Sequence, residues 1–356
     1  MNKLIENLVL GIAATAIFVA LPAFTFAQNP WTAPPPSKPA APTASPRPES
    51  RIEPPAEPFP RPYIYYRGPS EKSIKVDGSV NLAFGCVSEG TIKVNGWNRN
   101  EVRVFVENGT KFGFRILQKS VKSGSPEWIK VVGMDPKSKF GAGSECISAR
   151  EIEIDAPLNA TITIKGREIS TNIDSVKRVE VTTIGGDISI RNISGGITAS
   201  AGQGDITVAG SEGAMMLDTT TGNILVFDAG PSGIGDIFKA KTNSGEIALQ
   251  RVTHRQINVN SISGSVSFNG EILNGGSYNL GTTKGSIRLA LPAATACMVY
   301  ASYGYGTFNS EIPFKIATEN ITEGPVKTVV GSLGKGGDAV LKLSSVNGSI
   351  SIKKQP

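Results

Sequence analysis

The sequence predicts an all-β protein whose regular part is a β-solenoid, and three observations support this prediction. From about residue 73, apolar and polar residues alternate over short runs, which is typical of strands with one buried face. Asn-Gly pairs, which favour tight turns between strands, begin at Asn95, Asn108, Asn269, Asn274 and Asn347. A two-strand unit of 18–23 residues recurs along the chain.

Seven glycines align the repeat: Gly186, Gly204, Gly222, Gly245, Gly264, Gly285 and Gly348. Apolar or aromatic residues stand two and four positions after each glycine, and five and seven positions before it. A small residue always stands three positions before it: Thr183, Ala201, Thr219, Thr242, Ser261, Thr282 or Ser345. Alternation on both sides of the glycine predicts two strands per unit. The glycine suits a bend that needs positive φ or close backbone approach, and the small residue leaves room there.

One unit cannot bury its own apolar face, so units stacked about 4.8 Å apart must share a core. A plain antiparallel meander is the alternative, but the near-constant period, with insertions confined to the links, favours a β-helix-like stack. The predicted domain spans residues 70–354. It comprises an N-terminal β region (70–170), regular repeats (171–292), and C-terminal strands with a cap (293–354). The irregular ends are expected to cover strand edges.

Two segments precede this domain. Residues 1–27 have the features of a signal peptide: Lys3, an apolar run from Leu8 to Leu21, and small residues at the end of Thr25-Phe26-Ala27. Retention of this segment as an uncleaved anchor is the alternative. Residues 28–69 contain 14 prolines and predict an extended, disordered linker. We therefore expect an exported chain, in the periplasm, on the cell surface or outside the cell, without a transmembrane span after cleavage.

Composition excludes several kinds of chemistry. The single histidine, His254, argues against His-cluster metal sites. The net charge of +6 is spread along the chain, so no segment predicts nucleic-acid binding. His254 lies in a link beside Arg255, where we expect an exposed loop residue.

Several stretches together resemble a known family: Gly90 to Val104, Ile152 to Pro157, the Gly-Asp/Ser-Ile units, Gly285 to Pro292, and Val346 to Ile352. In this order they resemble the bacterial putative-adhesin family of β-strand-repeat proteins, a domain of unknown function, over roughly residues 75–354. The resemblance implies a β-helix-like fold in an envelope or surface setting. It implies no catalytic residues, because the family has no established activity.

A row of short polar residues follows the repeat glycines: Asp187, Asp205, Asn223, Glu246, Ser265, Ser286 and Ser349. Acidic residues along a solenoid edge could bind calcium. Calcium needs about six to eight oxygen ligands with several carboxylates, whereas three of these seven residues are serines. Hydrogen bonding to the local backbone is the favoured interpretation. We expect no metal and no cofactor.

Two further groups are candidates for function. Asp218, Asp228 and Asp236 lie near one another in sequence, but no motif sets them as the carboxylate pair of a glycoside hydrolase. Tyr303 and Tyr305 alternate with glycines, as do aromatic residues that stack on sugars or peptides, although such residues also cover sheet edges.

A basic segment, residues 108–144, carries seven lysines and arginines interleaved with aromatic and apolar residues. It predicts a strand pair with one basic face. Contact with anionic lipid headgroups or acidic polysaccharide is one interpretation of that face. A merely solvated face is the favoured one.

The three cysteines divide into a pair and a single residue. Export makes an oxidising compartment accessible, and Cys86 and Cys146 both lie outside the regular repeats near strand ends. We predict that they form a disulfide. Cys297 stands among small and apolar residues and is expected to be a buried free thiol.

These observations favour a non-catalytic, adhesin-like binding or structural module of the cell envelope, with an unidentified protein or glycan partner. An envelope polysaccharide-processing enzyme on a β-helix is the alternative, and an accessory protein of envelope stress or signalling is a second one.

Overall fold

The structure is a computed structural model, and it describes residues 68–134, 146–320 and 326–355. The signal peptide and nearly all of the proline-rich linker lie outside these ranges. The described residues form 25 strands. They are β1 Gly68–Lys75, β2 Asn81–Trp97, β3 Glu101–Gly109, β4 Phe112–Lys119, β5 Pro126–Gly133, β6 Ile147–Pro157, β7 Thr161–Asp174, β8 Arg178–Gly185, β9 Ile188–Arg191, β10 Ile197–Gln203, β11 Ile206–Glu212, β12 Met215–Thr221, β13 Ile224–Gly230, β14 Ile237–Ser244, β15 Ile247–Val252, β16 Gln256–Ser263, β17 Val266–Asn269, β18 Ser277–Lys284, β19 Ile287–Leu291, β20 Cys297–Tyr305, β21 Phe308–Ser310, β22 Phe314–Asn320, β23 Lys327–Leu333, β24 Val340–Asn347 and β25 Ile350–Lys354.

The strands stack in two columns, which we call sheet A and sheet B. Sheet A holds the strand before each repeat glycine, in the order β4, β5, β2, β7, β8, β10, β12, β14, β16, β18, β24, β20, β23, β22. Sheet B holds the strand after it, in the order β1, β3, β6, β2, β7, β9, β11, β13, β15, β17, β19, β25, β21. The long strands β2 and β7 run through both sheets.

Pairing between consecutive units is parallel and in register throughout the repeats. Ile197, for example, lies opposite Val179 on one side and Met215 on the other. The solenoid prediction is therefore confirmed, and the antiparallel meander is wrong for this region. Antiparallel pairing occurs only at the ends of the described stack, where β1, β3 and β4 extend one end and β22 and β23 the other.

At both ends the coils stack out of sequence order. The last unit, β24 and β25, lies between the unit β18–β19 and the unit β20–β21. At the other end, β2 lies between β5–β6 and β7. At the C-terminal end the outer coil β20–β21 therefore precedes the coil that fills the gap, whereas at the N-terminal end the inner strand β2 comes first; in both cases the inner coil has neighbours on two sides.

The core is the space between the two sheets. The four apolar positions of the repeat fill it in straight rows, because register keeps equivalent residues above one another. Rings meet across the gap at Phe268 and Tyr278, whose centroids lie 6.1 Å apart. Both side chains are fully buried.

The repeat glycines occupy the corner between the sheets, where two features favour glycine: a positive φ and the close approach of the neighbouring coil. Gly245 has φ +154°, and a Cβ placed on it would lie 1.9 Å from the carbonyl oxygen of Gly222. Gly348 has no left-handed φ, yet its Cβ would lie 1.9 Å from the Gly285 oxygen. Close approach of successive coils is therefore the shared requirement, and the left-handed conformation is added in most units.

A buried hydroxyl ladder runs beside the glycines. In five of the seven units the small residue donates its hydroxyl to the glycine carbonyl of the preceding coil, as Thr242 does to Gly222 at 3.0 Å and Ser345 to Gly285 at 2.8 Å. Thr219, Ser261 and Thr282 make the same bond. Small size was the expected reason for these residues, but the hydrogen bond is the stronger one because it satisfies a buried carbonyl.

Two units depart from this ladder: Thr183 donates to the carbonyls of Arg167 and Gly185, and Ala201 has no hydroxyl to donate to Gly186. We predict that Ala201→Ser adds the bond and raises the free energy of unfolding by about 0.5–1.5 kcal/mol. The matched change Thr242→Val removes a bond at nearly constant volume and should lower it by about 1–3 kcal/mol. Urea unfolding measures both. A loss of stability in Ala201→Ser, or none in Thr242→Val, would show that the ladder is not stabilising.

Candidate functional site

The polar row beside the repeat glycines is a structural ladder. Asp187 accepts a hydrogen bond from the backbone N–H of Asp205 at 2.9 Å, and Asp205 accepts one from Asn223 at 2.7 Å. Asn223 accepts one from Glu246 at 2.9 Å. Each oxygen therefore accepts from the backbone of the next coil, whereas the sequence predicted bonding to the backbone of its own turn. This use of the side chains supports backbone hydrogen bonding over calcium binding.

Two of the three aspartates considered for catalysis have structural partners. Asp228 forms a two-contact ion pair with Arg251 of the next coil, and this pairing lowers the pKa of the Asp228 carboxyl. Asp236 accepts hydrogen bonds from the backbone of Ser232 and Gly233, which holds its own loop. Asp218 lies on sheet A in register with Lys241. Each of the three carboxylates thus has a different neighbour, and these contacts do not join them in one site.

The expectation that His254 is exposed is wrong, because its side chain is completely buried. Its Nε2 lies 2.8 Å from the carbonyl oxygen of Gly213, and its ring packs at 5.7 Å from that of Phe238. Burial lowers the pKa of His254, while the Gly213 bond and the charge of Asp236 oppose this shift. Its Nδ1 has no hydrogen-bond partner among the described residues. His254 is therefore a core residue, although it lies in the link between two coils.

The two tyrosines proposed as a binding surface point to different environments. Tyr303 is 7% exposed and occupies the inward row of β20, in register with Ser345. Tyr305 is 74% exposed at the corner. They therefore do not form one aromatic platform, and Tyr303 is corrected to a core residue. Its ring is covered by Lys327, whose Nζ lies 5.9 Å from the centroid.

The cysteines are placed as a pair and a buried single residue. The Sγ atoms of Cys86 and Cys146 lie at bonding distance, with Cα atoms 4.4 Å apart. The disulfide stays a prediction for the exported protein. Cys297 is buried and unpaired, and burial raises the pKa of its thiol to about 11. It is therefore a protonated and unreactive core residue at neutral pH.

A shallow polar groove lies on the outer face of sheet A, across β16, β18 and β24. We call it the amide groove; it is formed by Asn258, Asn260, Asn279, Gly281 and Ser344. Its volume is about 270 Å³. The three amides are exposed, and no hydrogen bond recorded among the described residues uses them. Sequence reasoning missed this groove because its members stand on the outward positions, which do not repeat.

The groove has a simple origin in strand register. Asn258 lies opposite Asn279, and Asn260 lies opposite Gly281, which lies opposite Ser344. Gly281 therefore interrupts an outward row of side chains and forms the floor. A Cβ on Gly281 would lie 2.9 Å from the amide oxygen of Asn260. Tyr300, 44% exposed, lies two strands beyond Asn279 in the same outward row, with Lys342 between them.

The basic segment forms the β4–β5 hairpin, which is a strand pair as predicted. Its end, residues 135–145, lies outside the described ranges. Within the described ranges, no three His, Cys, Asp or Glu side chains group together as metal ligands would. Those same ranges contain no helix with the length and hydrophobicity that crossing a bilayer requires.

Comparison with known families gives one match. Residues 236–353 match the family model Toastrack DUF4097. This segment runs from the end of one inter-unit link to β25 and includes the amide groove. The resemblance to a β-strand-repeat family of unknown function is confirmed there. A comparison with curated proteins found no match.

Comparison with solved structures finds matches that include three bacterial proteins. A putative cell adhesion protein from Clostridium sporogenes is 13% identical over 81% of this chain and all of its own, with a TM-score of 0.22. A putative adhesin from Parabacteroides merdae is 10% identical over 80% and 96% of the two chains, with a TM-score of 0.41. A putative lipid binding protein from Parabacteroides distasonis is 11% identical over 80% and 97%, with a TM-score of 0.32. At these scores the similarities carry no argument about the function of this chain.

The buried histidine predicts a specific pH dependence. Because the pKa of His254 is lowered on folding, the unfolded chain binds a proton first as pH falls. The free energy of unfolding is therefore unaffected by this titration above about pH 7, and it decreases as the pH falls below the unfolded pKa of about 6.5. Between pH 7.5 and 5.5 the loss should reach at most about 1.4 kcal/mol.

The variant His254→Gln keeps an N–H donor for Gly213 but cannot titrate, so it should remove this part of the pH dependence. Urea unfolding at the two pH values measures it. An unchanged slope in the variant would show that His254 is not the titrating group.

Proposed function

We propose that this chain is a non-catalytic binding module, exported to the cell envelope or surface, whose ligand is a glycan held at the amide groove. The observation that carries the proposal is the groove itself: three exposed amides, one exposed serine and a glycine floor in fixed register. Export rests on the features of residues 1–27.

The chemistry of the groove suits sugar hydroxyls. Each Asn side chain offers both donors and an acceptor, so it can bond a hydroxyl in either direction. The strand spacing of about 4.8 Å separates Asn258 from Asn279 by a distance close to the dimensions of a sugar ring. Tyr300, beyond Lys342 in the outward row of Asn258 and Asn279, adds an exposed aromatic surface two strands from the groove, and aromatic rings combine an apolar face with a polar tip.

The remaining polar residues support binding over catalysis. The acidic residues that follow the repeat glycines, such as Asp187, accept hydrogen bonds from the backbone. Asp228 and Asp236 are engaged in contacts that hold loops, and His254 is buried. An enzyme normally gathers perturbed groups in one concave site, whereas here they are distributed along the structural ladders. No described contact favours the polysaccharide-processing alternative.

A direct test combines a glycan array with variants of the groove. We expect the chain from Gln28 to bind a subset of bacterial envelope glycans, and Asn258→Ala with Asn279→Ala to weaken binding at least about tenfold, since each lost hydrogen bond is worth about 0.5–1.5 kcal/mol. Asn172→Ala, an exposed strand asparagine on sheet B, is the matched control and should bind normally.

The same samples should show no turnover of the bound glycan, and Asp218→Ala, Asp228→Ala, Asp236→Ala and His254→Gln should bind as the parent does if they fold. Turnover that one of these variants abolishes without unfolding would replace the binding module with an enzyme. Binding only to envelope proteins would reassign the ligand class.

A further inference from the structure

The β4–β5 hairpin projects from the N-terminal end of sheet A. Its base is built into the core, where Phe112 is buried and packs edge-on against Phe114 at 6.0 Å. Beyond Phe114 every residue of β4 is exposed. β4 pairs only with β5 and is therefore an edge strand of sheet A, whereas β5 also pairs with β2 from Trp128 to Val131.

The tip of this hairpin is ordered by its own backbone. Ser120 N–H donates to the Ser125 carbonyl at 2.8 Å, and Gly124 N–H donates to the Ser120 carbonyl at 2.8 Å. Asp77 ties the tip to the body, since its N–H donates to Pro126 and its carboxylate accepts from the hydroxyl of Ser123. The hairpin is therefore a preformed projection.

Large apolar side chains are concentrated on this projection. Leu117 is 50% exposed and Val121, at the tip, is fully exposed. Ile116 and Trp128 are 41% and 45% exposed. The pairing of β4 with β5 is irregular between Ile116 and Gln118, as at a β-bulge, and this irregularity leaves Leu117 without a partner residue on β5. Solvent alone does not favour an apolar tip of this kind, which is typical of a surface that enters a less polar phase.

Basic residues flank the apolar ones. Residues 111–130 contain five lysines and arginines and a single acid, Glu127. Lys119 and Lys122 are exposed on either side of the turn. Long basic side chains at the edge of an apolar patch can reach phosphate groups while their neighbours insert between lipids.

From this arrangement we propose that the hairpin docks the protein peripherally on an anionic phospholipid surface. Val121 and Leu117 insert at the headgroup boundary, Trp128 lies at the interface, and Lys119 and Lys122 contact phosphates. An acidic polysaccharide would account for the lysines but not for the exposed aliphatic side chains of Leu117 and Val121. This inference does not depend on the glycan proposal, because the hairpin and the amide groove lie on different coils.

Vesicle co-sedimentation tests the proposal, using the chain from Gln28 so that the apolar run of residues 8–21 is absent. We expect binding to vesicles of phosphatidylglycerol and phosphatidylcholine, and much weaker binding to phosphatidylcholine alone. Lys119→Gln with Lys122→Gln should reduce binding about thirtyfold, because each basic residue near an anionic surface contributes about fivefold. Leu117→Asp with Val121→Asp should reduce it at least about tenfold.

Matched controls come from elsewhere on the surface. Ile234→Asp changes a fully exposed apolar residue in another loop, and Lys353→Gln changes an exposed lysine on β25. Both should bind vesicles as the parent does, and thermal unfolding should confirm that every variant is folded. Failure of the parent to bind anionic vesicles would overturn the proposal. So would equal losses in the control variants, or binding to soluble acidic polysaccharide that the Leu117 and Val121 changes leave intact.

Discussion

The close approach of successive coils at the glycine corner is the constraint on which the rest of the solenoid depends. At that corner the backbone of one coil lies where a Cβ of the next would have to be, as Gly245 and Gly222 show. Two side-chain ladders run beside it. Hydroxyls bond the glycine carbonyls from inside, and Asp or Asn side chains bond the next backbone N–H from outside. Together they set register at one edge of both sheets.

A register held at one corner leaves the rest of each unit free to vary. Insertions are confined to the links between strands. A strand is paired on both sides within its sheet, whereas a link has fewer neighbours that an insertion would displace. Outward rows can carry any side chain that tolerates a strand, and this is where the amide groove lies. The ends depart from sequence order for a related reason: a coil inserted between two others leaves no repeat unit with an uncovered edge.

Much of the fold could be predicted from the sequence, because inward positions repeat chemically. The four apolar rows, the corner glycines and the hydroxyl positions all follow from alternation and spacing. His254 could not be placed, since it lies in a link where no period applies. Tyr303 was misassigned because alternation with glycine does not reveal which face of an end strand points to the core. That face is set by the register of β20 with its neighbours β23 and β24.

The candidate site was less accessible to sequence reasoning. The amide groove combines residues from β16, β18 and β24, and the contact with β24 joins positions about 60 residues apart that the interrupted repeat does not align in advance. The hairpin was visible as a basic segment. Its projection and its exposed apolar tip were not, because they depend on β4 having a partner on only one side.

The most direct test of the corner constraint compares three glycine variants by urea unfolding. Gly235 has φ +90° with open space around it, so Gly235→Ala isolates conformational strain and should cost about 1–2 kcal/mol. Gly348→Ala meets the preceding coil without a left-handed φ, and Gly245→Ala meets both conditions.

If coil approach is the governing constraint, Gly348→Ala and Gly245→Ala should each lose more than about 3 kcal/mol, or fail to fold, while Gly235→Ala remains folded. A loss in Gly348→Ala no larger than that in Gly235→Ala would contradict the account.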